Sequence, residues 1–404
     1  MNFERKFSSL ILFLLYLLIL SDSYIYEFER TYFTAFPLFD FLRVIILLGL
    51  FLCFFLKFSS MVKIGFLYFS IVILYLFSGY LFTDGNSSVS YFVINFIYGF
   101  ILYLIMCSYA IKYGSIRSCN ILFCAFFVFT VLSFIIEFYP IPRSFLREDA
   151  LWQCGLDWNR RLCGATNNPN ILGFISFIIA SFSLISHQSQ RKFLFLIAVI
   201  ISFSLSLMSL SRTAILSILI MYSMYFLNSK NILRYVSITF LLVFLIVLVN
   251  FSFLNYDFLD IFDGRFDIDS LLSASGRNVI FYSAITYLNE SPLLGLGLDF
   301  NRVYGDGGLV WGKFIDNAYL NFSVSYGLLG LLAFVALMYY LYSHARKCGR
   351  AQKVAFLSFC IILFFEDYTF KSYYVWLVLF LVTLNVNEQP NLFNNMVKNK
   401  YEKL

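Results

Sequence analysis

The chain has 404 residues, 61% of them hydrophobic and only 13% charged, with a formal net charge of +6. Its apolar runs repeatedly approach the ~20 residues needed to cross a hydrocarbon core, which excludes a soluble enzyme or a nucleic-acid-binding domain and marks a polytopic membrane protein.

No small-residue cleavage site follows Phe7 to Leu20, so this stretch is expected to remain as the first span. Hydropathy then predicts spans near 7–25, 37–57, 61–82, 89–111, 117–139, 169–187, 192–209, 212–228, 233–253, 317–343, 353–366 and 372–386. Each can satisfy its own backbone as a helix, so the expected fold is all-α: one integral membrane domain over 1–404 with twelve spans. The last two stretches are short and form either two spans or a re-entrant hairpin. Both arrangements return the C-terminus to the side of the N-terminus.

The charges orient this layout. With the N-terminus cytoplasmic, the inner segments hold 17 Lys and Arg but only Glu4, Glu388 and Glu402 as acids, while the other face holds 12 basic and 20 acidic residues. Two outer segments, roughly 140–168 and 254–316, are too long to be turns, whereas every inner connection is short, so function is expected on the outer face.

The second outer loop carries Asp257, Asp260, Asp263, Asp267 and Asp269 without EF-hand spacing or a flanking His. A solvated acidic loop explains them, and no metal is assigned. In the first loop, CGLDWNRRLC places Cys154 and Cys163 where an oxidising compartment permits a bridge; a disulfide and two free thiols are both open readings. Trp152, Trp158 and Trp311 fit interfacial anchoring as well as stacking on sugar rings. No GxxxxGK[ST] loop or GxSxG elbow occurs, which argues against an ATP-driven pump or a serine hydrolase.

Charges at the outer ends of spans carry more information. Arg212 sits at a polar break in LSLSRTAILS, Asp40 and Arg43 open the second span, Glu137 ends the fifth, and Glu366 and Asp367 end the eleventh. Each alone is explained by snorkelling; as a set on one side they outline a polar chamber open to the outside. Asp316 precedes an apolar stretch, FIDNAYLNFSVSYGLLGLLAF, and reads either as a helix N-cap or as a functional carboxylate.

Four stretches in order resemble the O-antigen ligase and polymerase superfamily of bacterial inner-membrane glycosyltransferases. They are RLCGATNNPNILG at 161–173, SLSRTAILS at 209–217, SGRNVIFYSAITYLNESPLLGLG at 275–297 and DNAYLNFSVSYGLLG at 316–330. The resemblance implies a fold similar to the metal-independent, all-helical GT-C type class, with no cofactor. It implies undecaprenyl-diphosphate-linked oligosaccharides as substrates in a lipid environment, and a chain-length regulator and a flippase as pathway partners. The expected location is a bacterial inner membrane with both termini cytoplasmic and the site facing the periplasm.

Matched residue by residue, Arg212 and Arg277 take the places of two arginines that engage the lipid diphosphate. Asp316 stands where the ligases carry a histidine, and Asn170, Asn317 and Arg43 are secondary candidates. The chemistry supports the roles independently: a departing diphosphate gathers negative charge, and the planar, permanently protonated guanidinium fork is suited to it. A carboxylate orients the acceptor hydroxyl, although two nearby arginines make it a weaker base.

Both histidines, His187 and His344, fall on the inner side, so a polymerase of lipid-linked repeat units fits better than a ligase to lipid A core. A flippase for lipid-linked sugars is the competing class. It would place charged or helix-breaking positions near the bilayer midplane, whereas the charges here gather at the outer rim.

Overall fold

A computed structural model describes residues 2–21, 87–138, 162–166, 168–227, 277–296, 317–366 and 373–385. The expected spans at 37–57, 61–82 and 233–253 lie outside the described residues, as do Arg43, Cys154, Asp316 and the three outer-loop tryptophans.

The described residues form ten helices and no strand: α1 (Asn2–Leu20), α2 (Ser87–Tyr113), α3 (Ser115–Phe138), α4 (Pro169–Gln188), α5 (Lys192–Ser209), α6 (Arg212–Phe226), α7 (Arg277–Glu290), α8 (Ala318–Cys348), α9 (Arg350–Phe365) and α10 (Tyr373–Thr383). Four of them, α3, α4, α5 and α8, are long and apolar enough to cross a membrane. Helical hydrogen bonding satisfies most of their backbone groups internally, and large apolar side chains such as Phe127, Leu196 and Leu332 stand on their outer faces.

The centre of the bundle is α4, buried almost throughout and packed against α5, α6, α9 and α10. Small residues let its neighbours approach. A Cβ on Gly173 would lie 2.6 Å from the Ser211 Cβ at the start of α6. Buried hydroxyls return to their own helices, Ser176 to the Gly173 carbonyl and Ser181 to that of Phe177, or reach across, Ser183 to the Tyr222 hydroxyl at 2.7 Å. This is how polar groups survive in a low-dielectric helix interface.

α10 is short, about 16 Å at 1.5 Å per residue, and its side chains from Tyr374 to Val382 are buried. Trp376 is fully buried against α2, where Gly99 leaves room for its indole. α9 and α10 are packed together, and their connection lies outside the described residues. Gln352 of α9 donates to the Leu384 carbonyl, and Cys348 lies against that of Thr383, so the chain returns at Leu384 to the end from which α9 set out.

The expected tenth span at 317–343 is revised, because α8 is two arms joined at Gly327 (φ 65, ψ −167). In a straight helix Phe322 and Phe334 would be about 18 Å apart, and Tyr319 and Phe334 about 22 Å. Their ring centroids are instead 4.3 Å and 5.5 Å apart, so the short arm 318–326 folds back along the long arm 328–348. The long arm alone, about 31 Å, matches the hydrocarbon thickness.

Charge separates the two ends of the bundle. Among the described side chains, Lys6, Lys112, Arg117, Arg191, Lys192, Arg346, Lys347, Arg350 and Lys353 lie at one end. Arg212, Glu137, Glu290 and Glu366 lie towards the other.

Candidate functional site

The end opposite the basic residues is built from turns whose backbone groups are held by side chains. After α5, Leu210 takes a left-handed conformation (φ 45), and the chain re-enters a helix at Arg212. Ser211 is packed against Gly173, so the first turn of α6 is fixed beside α4, with half-buried Arg212 as its first residue. Thr213 donates to Oε1 of Glu366 at 3.3 Å, tying that turn to the end of α9; Glu366 is only 8% exposed.

Residues 162–166 cross the same end. Oε1 of Glu137 accepts the Cys163 and Gly164 amides, both at 2.6 Å, and the Ser133 hydroxyl accepts that of Ala165 at 3.1 Å. The Leu162 amide donates to the Met208 carbonyl at 3.0 Å, so this segment links the ends of α3 and α5. Asn168 then caps α4 by accepting the Asn170 amide at 2.8 Å, with Pro169 opening the helix. Charge-assisted bonds from a carboxylate to two backbone amides are among the stronger restraints available to a loop.

Cys163 is disulfide-bonded, and its partner lies outside the described residues, as does Cys154. The described cysteines Cys107, Cys119, Cys124, Cys348 and Cys360 are free.

The short arm of α8 brings Asn317 into the same half of the bundle. The Tyr319 hydroxyl donates to the Cys360 carbonyl of α9 at 3.2 Å. The residue that caps this arm is Asn317, whose side chain accepts the Leu320 amide at 2.9 Å. The N-cap reading of Asp316 is thereby overturned: the extended dihedrals and the capping bond belong to the next residue, and one helix start needs one N-cap.

The fold-back depends on a second segment. After α7, the Leu296 amide donates to the Val324 carbonyl at 2.8 Å, and the Leu328 amide donates to the Pro292 carbonyl at 2.8 Å. Residues 292–296 thus bond the backbone groups that the break at Gly327 releases. Gly295 (φ 76) and Gly327 (φ 65) face each other: a Cβ on Gly327 would enter the Leu293 carbonyl, and one on Gly295 the Gly327 backbone. α7 is a helix inside the expected 254–316 loop, and hydropathy missed it because its face is too weakly apolar to register as a span.

Of the predicted site residues, the structure places Arg212, Asn170 and Asn317 towards this end, the latter two at helix starts. Arg277 opens α7, with its side chain outside the described positions. Both histidines are at the basic end: His187 sits one residue before the end of α4 and His344 in the last turns of α8. Ser133, Thr213 and the Gly295–Gly327 pair went unread in the sequence. The glycines in PLLGLG and SYGLLG were the available signal. No group of His, Cys, Asp or Glu able to hold a metal occurs among the described residues.

No curated protein matches the chain. Over residues 197–335, which include Arg212, Arg277, the glycine pair and Asn317, the chain matches the family model described as O-antigen ligase, a match consistent with a member of the O-antigen ligase and polymerase superfamily.

Proposed function

We propose that this protein polymerises undecaprenyl-diphosphate-linked repeat units, moving a growing glycan from its lipid diphosphate to a sugar hydroxyl of the next unit. The observation that carries the reading is the assembly of polar turns around Arg212 at the end opposite the basic residues, with both histidines at the other end. The positive-inside rule makes the basic end cytoplasmic and the Arg212 end periplasmic. The disulfide at Cys163, on the Arg212 end, agrees, because bridges persist in oxidising compartments.

In this reading Arg212 grips the diphosphate as the glycosidic bond breaks, and the amino end of α6 adds a positive dipole at the same place. The neighbouring bond from Thr213 to Glu366 holds the turn that carries Arg212. Arg277 is the second diphosphate donor. Asp316 orients the acceptor hydroxyl and takes its proton as the new bond forms.

The description of the matched model keeps ligation to a lipid A core as a second reading. One experiment separates the classes. Purified protein in liposomes receives lipid-linked repeat units, alone or with lipid A core. A ladder of lengthened glycans from repeat units alone is the expected result. Product only on the lipid A core would establish a ligase, and lipid movement without any new bond a flippase.

A further inference from the structure

A groove of about 570 Å³ opens at the basic end between the start of α3 and the start of α5. Its walls are apolar: Phe123 on one side, Leu194 and the 73% exposed Phe193 on the other. Arg191 and Lys192 stand at its mouth. Nη1 of Arg191 donates to the Asn120 side chain at 2.6 Å, which holds the guanidinium beside the groove and uses one of its five N–H donors. One turn beyond Phe123, the 51% exposed Phe127 continues the apolar track along α3.

The two parts of the groove ask for one kind of occupant. Two adjacent cations, with no acid among the described side chains at that end, select an anion, and the phenyl walls select a chain that water does not solvate. A free phosphate satisfies only the first demand, and a zwitterionic lipid satisfies the first poorly. We propose that this groove binds a single anionic phospholipid of the leaflet at the basic end, with its phosphate on Arg191 and Lys192 and an acyl chain along Phe123, Phe193 and Leu194. The inference rests on the membrane-spanning reading of the bundle and is independent of the glycan chemistry at the opposite end.

Native mass spectrometry of the delipidated full chain, titrated with dioleoyl-phosphatidylglycerol or dioleoyl-phosphatidylcholine, tests it. The expected result is one retained phosphatidylglycerol at a concentration at least tenfold below that needed for phosphatidylcholine. Arg191→Gln with Lys192→Gln should remove the preference, whereas Arg346→Gln with Lys347→Gln, an equal charge loss in the last turn of α8, should leave it unchanged. Phe193→Ser, which keeps both cations, should weaken phosphatidylglycerol retention several-fold and serves if the double variant cannot be purified. Equal retention of the two lipids would overturn the proposal, as would an equal loss from the Arg346/Lys347 control. Full retention by Phe193→Ser together with displacement by millimolar inorganic phosphate would overturn the lipid in favour of a bare anion site.

Discussion

The two ends of the bundle use charge in opposite ways. At the basic end the cations are mostly exposed, and their hydrogen bonds are long-armed contacts such as Arg350 to the Met224 carbonyl at 3.3 Å or Arg117 to Ser9 at 3.1 Å. At the other end two of the described carboxylates turn inward: Glu137 holds the Cys163 and Gly164 amides, and Glu366 holds the first turn of α6. Most of the charge at the first end sits on solvent-exposed side chains with few fixed partners. At the second, Glu137 and Glu366 fix backbone geometry, each through particular partners.

The contrast is sharpest at two glycines. Gly114, at the basic end, has φ 96 with nothing within 4 Å of an added Cβ, whereas Gly327 has φ 65 and faces the Leu293 backbone. Gly114→Ala should cost only the left-handed strain, about 1–2 kcal/mol, and leave polymer formation intact. Gly327→Ala adds a backbone collision, and the expected outcome is loss of glycan polymerisation by a hundredfold or more, read in the liposome assay on protein of normal chromatographic profile. Equal behaviour of the two variants would break the comparison.

Glu137→Ala comes next. It strands the Cys163 and Gly164 amides, which should lower stability by about 2–3 kcal/mol, measured as a fall in Tm in detergent. Removing an exposed basic charge, as in Lys347→Ala, should leave Tm unchanged within error. A smaller effect separates the two arginine classes: Arg212→Lys keeps the charge but loses the planar fork, and polymer formation should fall about tenfold, or ~1.4 kcal/mol. Arg346→Lys should be silent. Near wild-type polymer from Arg212→Lys would reduce Arg212 to an anchor.

The smallest expected change in stability concerns the start of the short arm. Asn317→Ala removes the cap and should cost about 1 kcal/mol, visible as a modest Tm shift. Asp316→Asn should leave Tm alone and still reduce polymer if the carboxylate serves the acceptor. Unchanged polymer from Asp316→Asn would leave that residue without a catalytic role.

Much of this was legible in the chain itself. Unbroken apolar runs force helices wherever lipid offers no hydrogen-bond partner, and α5 runs over 192–209 as hydropathy predicts. The polar break before Arg212 and the distribution of basic residues also follow from order and composition alone, and the stretches 209–217, 275–297 and 316–330 that carry the resemblance fall inside the 197–335 match.

Three features needed the tertiary structure. Hydropathy sums residues along a line, so it read 317–343 as one span and could not register that Gly327 turns the chain back upon itself. The sequence offered Asp316 as a cap, because Asp is a good N-cap residue, whereas the extended dihedrals and the capping bond are found at Asn317. It saw Glu137 and Glu366 as charges at span ends, while their partners, Cys163, Gly164 and Thr213, lie 26 to 153 residues away in the sequence. Local propensity and burial act through neighbours in the chain, and are therefore written in the sequence. Which helix ends meet depends on how the helices pack, and only the assembled bundle specifies that.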